Sequence, residues 1–131
     1  MMLRKVLVVD DEPDFCEALG DYLETKGYSV LKAYDGDQAL DLYQQERPEV
    51  VLLDVRMPGK DGIETLRELR VFDPEARVIM VTAVQEEALD RQAATEVDEG
   101  TLDYITKPFG NESLERTLSI LVRMGLLGGD E

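Results

Sequence analysis

Three aspartates and one lysine follow apolar, strand-like stretches of this 131-residue chain. Asp10 and Asp11 come directly after a short run of valine and leucine, and Asp54 comes after a second such run. Lys107 follows a third strand-like stretch. Carboxylates that converge on one edge of a sheet are costly to keep ionised without a partner, so the grouping indicates a divalent cation. A lysine at the same edge indicates a phosphate.

The elements that must position these residues alternate along the chain. Apolar, β-branched runs predict strands, and apolar residues spaced three and four apart predict amphipathic helices between them. Five strands alternating with five helices predict an α/β fold, with a parallel sheet between two helical layers. The predicted strands are 4–9, 28–33, 50–55, 78–83 and 102–106, and the predicted helices are 14–26, 37–46, 63–73, 86–99 and a last one from 111 onward.

The polar residues fall where such a sheet binds ligands. Open parallel α/β sheets bind their ligands beyond the carboxyl ends of the strands. Asp10, Asp11, Asp54, Thr82 and Lys107 all lie at or just past predicted carboxyl ends. Because these residues come from four different strands, we expect them to form one site at that edge.

The composition indicates an acidic globular domain with a net charge of −15 at pH 7. Such a charge repels nucleic acid and anionic membranes, so direct contact with either is not expected. The single cysteine, Cys16, excludes an internal disulfide. No apolar run reaches transmembrane or signal-peptide length, so we expect a cytoplasmic protein. Residues 1–124 are expected to form one domain, with 125–131 as a flexible tail or the start of a linker.

Four motifs, taken in order, resemble the receiver (response regulator) domain of two-component signalling. The resemblance implies a flavodoxin-like, doubly wound sheet of five parallel strands in the order 2-1-3-4-5, with helices on both faces. It also implies a phosphoprotein of a phosphorelay, not an enzyme acting on other molecules. The motifs are Val8–Pro13, Leu52–Gly62, Val81–Ala83 and Asp103–Phe109, within a resemblance that extends from about Lys5 to Arg123.

The resemblance implies a role for each residue of the predicted site. Asp54 resembles the phosphoacceptor, which takes a phosphoryl group from a histidine kinase or phosphotransfer protein. Asp10 and Asp11 resemble the acidic pair that binds Mg²⁺ together with Asp54 and the backbone carbonyl of Arg56. Lys107 resembles the lysine that pairs with a phosphoryl oxygen.

Further positions resemble the parts of the family that respond to the phosphate. Thr82 and Tyr104 resemble a switch pair, in which the Thr82 hydroxyl binds a phosphoryl oxygen and the ring of Tyr104 turns inward. Pro108 resembles a proline that follows a cis peptide bond, and Gly62 resembles a structural glycine. Phosphorylation would then shift the population between two conformations and so control an output partner.

Two features of the sequence distinguish this chain within the family that it resembles. The 24 residues between Thr82 and Lys107 make this segment longer than usual for the family by roughly one helical turn. The extra length falls in the predicted helix over 86–99, whose apolar face is thin, so we expect that helix to be irregular or displaced. Arg56 and Val84 resemble positions that tune the attack of water on the acyl phosphate, and we expect slow self-dephosphorylation.

Two other functions stay open at this point. One is a pseudo-receiver that docks partners without being phosphorylated. The other is a phosphatase of the haloacid-dehalogenase type, which needs a second aspartate two residues after its nucleophile, where this chain has Arg56. The implied partners are a histidine kinase or phosphotransfer protein and an output domain or protein. A homodimer through the helix over 86–99, the fifth strand and the last helix is a further open arrangement.

Overall fold

The computed structural model describes residues 4–55, 62–83, 101–107, 111–123 and 125. The predicted helix over 86–99 and the tail residues 126–131 lie outside the described residues. No helix among the described ranges combines the length and the apolarity needed to cross a membrane. The strands are β1 (Lys5–Val9), β2 (Ser29–Ala33), β3 (Val50–Asp54), β4 (Val78–Ala83) and β5 (Thr101–Lys107), and the helices are α1 (Pro13–Thr25), α2 (Gly36–Glu46), α3 (Gly62–Phe72) and α4 (Asn111–Arg123).

The described strands form one parallel sheet in the order β2-β1-β3-β4-β5. The predicted α/β class with a parallel sheet is therefore confirmed. Strand β1 pairs with β2 on one side and β3 on the other. It is therefore an interior strand, and its carboxyl end has a neighbouring strand on each side. The pairing of β4 with β5 is irregular near the start of β5, where Val78 pairs with Thr101 but Ile79 pairs with Asp103.

Helices cover both faces of the sheet because successive strand residues point to opposite sides. In β1, Val6 and Val8 pack in one cluster with buried residues of α1 and α4. Leu7 and Val9 pack in the other cluster with buried residues of α2 and α3. All five residues of β3 are buried, as its almost continuous apolar run predicts.

Helices α1 and α2 begin at the carboxyl edge of the sheet, beside the predicted site. Helix α1 starts with Pro13, whose fixed φ and missing N–H suit the first helical position. Helix α2 is capped reciprocally: Asp35 accepts from the Gln38 backbone N–H at 2.8 Å, and Gln38 Oε1 accepts from the Tyr34 N–H at 3.0 Å. Pro13 and the cap of α2 fix how the chain leaves β1 and β2, and so fix the backbone around the site.

A polar contact joins α2 to the end of α3 at the opposite edge of the sheet. The Tyr43 hydroxyl donates to Asp73 Oδ2 at 2.7 Å, and Asp73 Oδ1 accepts from the Glu75 N–H at 3.0 Å. These two hydrogen bonds hold the pKa of Asp73 below its usual value. Burial, together with the bond to Asp73, raises the pKa of Tyr43 to about 12. The contact fixes α3 against α2 and thereby supports the helix that packs behind β3.

Replacing Tyr43 by phenylalanine is expected to lower the free energy of unfolding by about 1–2 kcal/mol near neutral pH, because it removes a hydrogen bond to a charged group. The folded pKa of Asp73 is lowered, so this stabilisation is fully present above the unfolded pKa of about 3.9 and is lost as the pH falls through the folded pKa. Urea unfolding at pH 7 and pH 3 measures it, and the difference from wild type should shrink at pH 3.

Tyr22→Phe is the matched control for this prediction, because it removes a hydroxyl from α1 in the other helical layer. We expect it to change the free energy of unfolding by less than about 0.5 kcal/mol at either pH. An equal deficit of Tyr43→Phe at pH 7 and pH 3 would contradict the assignment of the effect to the ionised Asp73.

Candidate functional site

The three aspartates meet at the carboxyl edge of the sheet. One carboxylate oxygen from each of Asp10, Asp11 and Asp54 lies within 4.8 Å of the others. The approach follows from the topology, because β1 and β3 are adjacent and Val9, just before Asp10, pairs with Leu53, just before Asp54. Asp10 and Asp54 are buried, whereas Asp11 is exposed. The cluster therefore has two buried carboxylates and one that opens to solvent.

Hydrogen bonds with Ala33, Glu12 and Cys16 hold Asp10 in place. Its backbone N–H donates to the Ala33 carbonyl at 3.1 Å, which extends the pairing with β2 by one residue. Its Oδ1 accepts from the Glu12 N–H at 2.9 Å, which fixes the direction of the carboxylate. Its backbone carbonyl accepts from the Cys16 thiol at 3.4 Å. Both the backbone and the side chain of Asp10 are thus fixed before any ligand binds.

Gly62 lets α3 begin directly behind the end of β3. Its N–H donates to the Val55 carbonyl at 2.9 Å. A Cβ at position 62 would overlap the backbone carbonyl oxygen of Asp54 and would lie 2.8 Å from the Val55 Cα. Only glycine allows this approach without a backbone shift. The glycine that sequence motifs indicated as structural thus supports the backbone of Asp54 itself.

Replacing Gly62 by alanine is expected to lower the free energy of unfolding by about 2 kcal/mol, because the added methyl group forces α3 away from the end of β3. Urea unfolding measures the change. Gly20→Ala in α1 is the control: its added Cβ would meet the far end of the flexible Lys32 side chain, 2.8 Å away, which can move aside. We expect Gly20→Ala to change stability by less than about 1 kcal/mol. Equal losses in the two variants would contradict the proposed clash behind Asp54.

The strand register places the backbones of Thr82 and Lys107 at the same edge. In β4, Thr82 comes one residue after Val81, which pairs with Asp54. Lys107 is the last residue of β5 and pairs with Ala83. Tyr104 lies three residues before Lys107, within β5. The predicted positions of Thr82 and Lys107 near the carboxylates are therefore consistent with the sheet.

Three predicted site residues, Arg56, Val84 and Pro108, lie outside the described residues, and their roles stay predictions. The contact between Cys16 and Asp10 was not predicted from the sequence. A lone cysteine in a helical pattern is ordinarily a packing residue, and Cys16 is indeed fully buried. Only the distance of its thiol from the Asp10 carbonyl indicates more than packing.

The carboxylate cluster fits a hard divalent cation. Two unit charges about 4 Å apart repel by on the order of 4 kcal/mol at an intermediate dielectric constant, so three ionised carboxylates at this spacing are unfavourable alone. Mg²⁺ prefers oxygen ligands, keeps several waters and needs few carboxylates from the protein. The donor set of Asp10, Asp11 and Asp54 has this chemistry, with Asp11 on the open side.

The family model of the response regulator receiver domain matches residues 6–119, and the chain belongs to this family. The resemblance stated from the sequence motifs is therefore confirmed. Among solved structures, chemotaxis protein CheY4 of Vibrio cholerae is 29% identical, with a TM-score of 0.79 over 90% of this chain and 98% of that one. NtrX of Brucella abortus is 29% identical, with a TM-score of 0.81 over 96% of this chain but 29% of that longer one.

A third solved structure is similar to this chain over most of its length. It is the CheX-CheY-BeF3-Mg+2 complex from Borrelia burgdorferi, to which this chain is 29% identical, with a TM-score of 0.79 over 93% of this chain and 89% of that chain. All three structures share the receiver fold with this chain, although NtrX extends well beyond it.

Proposed function

We propose that this chain is a phosphoacceptor receiver domain, which takes a phosphoryl group onto Asp54 and switches conformation to control an output partner. The observation that carries the proposal is the approach of the Asp10, Asp11 and Asp54 carboxylates at the carboxyl edge of the sheet. Membership of the receiver family supports it. The donor would be a phosphohistidine on a histidine kinase or phosphotransfer protein.

The chemistry assigned to Asp54 is nucleophilic transfer. A carboxylate oxygen of Asp54 attacks the phosphorus atom, the O–P bond forms as the P–N bond of the phosphohistidine breaks, and the imidazole leaves. Asp54 suits this role because it is the last residue of a strand that is paired on both sides, by β1 and β4. A nucleophile fixed in this way needs little reorganisation before it reacts.

Asp10, Asp11 and Asp54 would hold Mg²⁺, with the backbone carbonyl of Arg56 as a further ligand. When bound, the cation supplies positive charge that offsets the carboxylates and the phosphoryl oxygens. The presence of Mg+2 and BeF3 in the similar Borrelia burgdorferi complex supports this choice of cation. The hydrogen bond from the Glu12 backbone N–H holds the Asp10 carboxylate in a fixed direction.

The remaining residues at the edge complete the proposal. Lys107 and Thr82 would bind phosphoryl oxygens once Asp54 is modified, and Tyr104 would change its position in response. Only the phosphorylated state makes these bonds, so phosphorylation shifts the population toward it. The modified chain would act on an output domain or protein and would lose its phosphate slowly without acting on other substrates. The single cysteine and the lack of a long apolar run in the sequence support a cytoplasmic location.

Incubation with acetyl phosphate and Mg²⁺, followed by intact-protein mass spectrometry, tests the proposal. We expect a gain of one phosphoryl group per chain, which EDTA prevents. No gain under conditions that saturate the metal would instead favour a docking module that is not phosphorylated. Release of many equivalents of inorganic phosphate per chain would favour a phosphatase.

A further inference from the structure

A side-chain donor helps to close the turn that carries the acidic pair. Two hydrogen bonds of Asp10, those with Ala33 and Glu12, have backbone N–H donors, which any residue except proline can supply. A further bond comes from the Cys16 thiol, 3.4 Å from the Asp10 carbonyl oxygen. It depends on the identity of residue 16.

The position of this thiol is unusual for a helical residue. A polar side chain inside a helix ordinarily bonds the carbonyl three or four residues earlier. The Cys16 backbone N–H does bond the Glu12 carbonyl, at 3.2 Å, but its thiol reaches back six residues to Asp10. Cys16 therefore ties the first turn of α1 to the residue that follows β1, across the segment that holds Asp11.

Burial strengthens the weak hydrogen bond between the Cys16 thiol and the Asp10 carbonyl. Both Asp10 and Cys16 are fully buried, and a hydrogen bond in such surroundings is stronger than one exposed to water. Groups that orient metal ligands without touching the metal typically change its affinity by about 10- to 100-fold when they are removed. A thiol is a weak donor, so we expect its removal to lower the metal affinity by an amount at the lower end of that range.

We propose that Cys16 is a positioning residue for the cation site of Asp10, Asp11 and Asp54, and this inference rests on the function proposed above. Its thiol fixes the Asp10 carbonyl, the bond from Glu12 fixes the carboxylate, and together they hold Asp10 at the distance from Asp54 that a shared cation requires. Cys16 touches neither the cation nor the phosphoryl group.

A pair of variants of nearly equal shape separates the thiol's hydrogen bond from its packing. Cys16→Val fills the space without a donor, whereas Cys16→Thr has the same shape and retains a hydroxyl. Isothermal titration with MgCl2 is expected to give a dissociation constant about tenfold higher for Cys16→Val and within about threefold of wild type for Cys16→Thr. Leu23→Val, which loosens the same core cluster away from Asp10, should leave Mg²⁺ affinity unchanged while lowering the free energy of unfolding.

Urea unfolding in EDTA checks that each variant is folded, and Cys16→Ala, which also lacks a donor, replaces Cys16→Val if the latter does not fold. Mg²⁺ affinities equal to wild type in the donor-free variant overturn the inference, and so do equal losses in Cys16→Thr and Cys16→Val. Wild-type protein that binds no Mg²⁺ overturns the proposed function as well, which distinguishes the two failures.

Discussion

Replacing Asp54 by asparagine is expected to abolish phosphorylation by acetyl phosphate, with a rate at least about 10³-fold below that of wild type. The amide of asparagine has no ionised oxygen to attack phosphorus, although its size and shape are nearly those of aspartate. The fold should persist. Asp54 shares its site with two other carboxylates within 4.8 Å, so removing its charge relieves repulsion. Intact-protein mass spectrometry with acetyl phosphate and Mg²⁺ measures the loss.

Asp14→Asn is the matched control, because Asp14 is an exposed carboxylate in the first turn of α1 and lies outside the cluster. It should be phosphorylated at the wild-type rate. A phosphoryl group on Asp54→Asn protein, located by peptide mapping to another carboxylate, would contradict the assignment of Asp54 as the acceptor.

The strands were the part of the fold best predicted from sequence, and burial explains why. The run that forms β3 is apolar without interruption because helices cover both of its faces, and its predicted start at Val50 is the observed one. Strand β4 has its predicted bounds, Val78–Ala83. The carboxyl ends of such strands must share one edge. For that reason the sequence also predicted that Asp10 and Asp54 would come together.

The inward faces of the helices were predicted less well. The apolar spacing in the last helix predicts that Val122 faces the core, but Val122 is 45% exposed, whereas Thr117 in α4 is fully buried. In α1, the apolar spacing places Ala18 on the predicted buried face, but Ala18 is exposed and Gly20 is buried instead. Periodicity gives the width of an apolar stripe, but the angle at which a helix crosses the sheet decides which residues at its margins are covered.

Side-chain contacts between different elements left no pattern in the sequence. The bond from Tyr43 to Asp73 joins residues 30 positions apart, and the contact of the Cys16 thiol with Asp10 depends on where α1 starts after β1. Both require the reach and direction of particular side chains, which follow only from the packed structure. Carboxylates at strand ends could be found from the sequence because the topology alone determines their location.

Replacing Asp10 by asparagine is expected to stabilise the metal-free protein and to weaken Mg²⁺ binding by at least about 100-fold. The asparagine Oδ1 can still accept the hydrogen bond from the Glu12 N–H, so the turn after β1 is retained. What the change removes is one buried negative charge beside Asp11 and Asp54. We expect the free energy of unfolding in EDTA to rise by about 1–2 kcal/mol, less than the full repulsion of a close pair because the exposed Asp11 is screened by water.

The two effects have opposite signs. Asp10→Asn should therefore be more stable than wild type in EDTA but less stable than wild type in saturating Mg²⁺. At a Mg²⁺ concentration 100 times its dissociation constant, wild type should gain about 2.7 kcal/mol, whereas the variant gains little. Urea unfolding in EDTA and in saturating Mg²⁺ measures the free energy of unfolding in each condition. Asp21→Asn, an exposed change on α1, should alter neither value. If Asp10→Asn is less stable than wild type in EDTA, the buried carboxylate is not under repulsion, and the physical argument for a cation at this edge of the sheet fails.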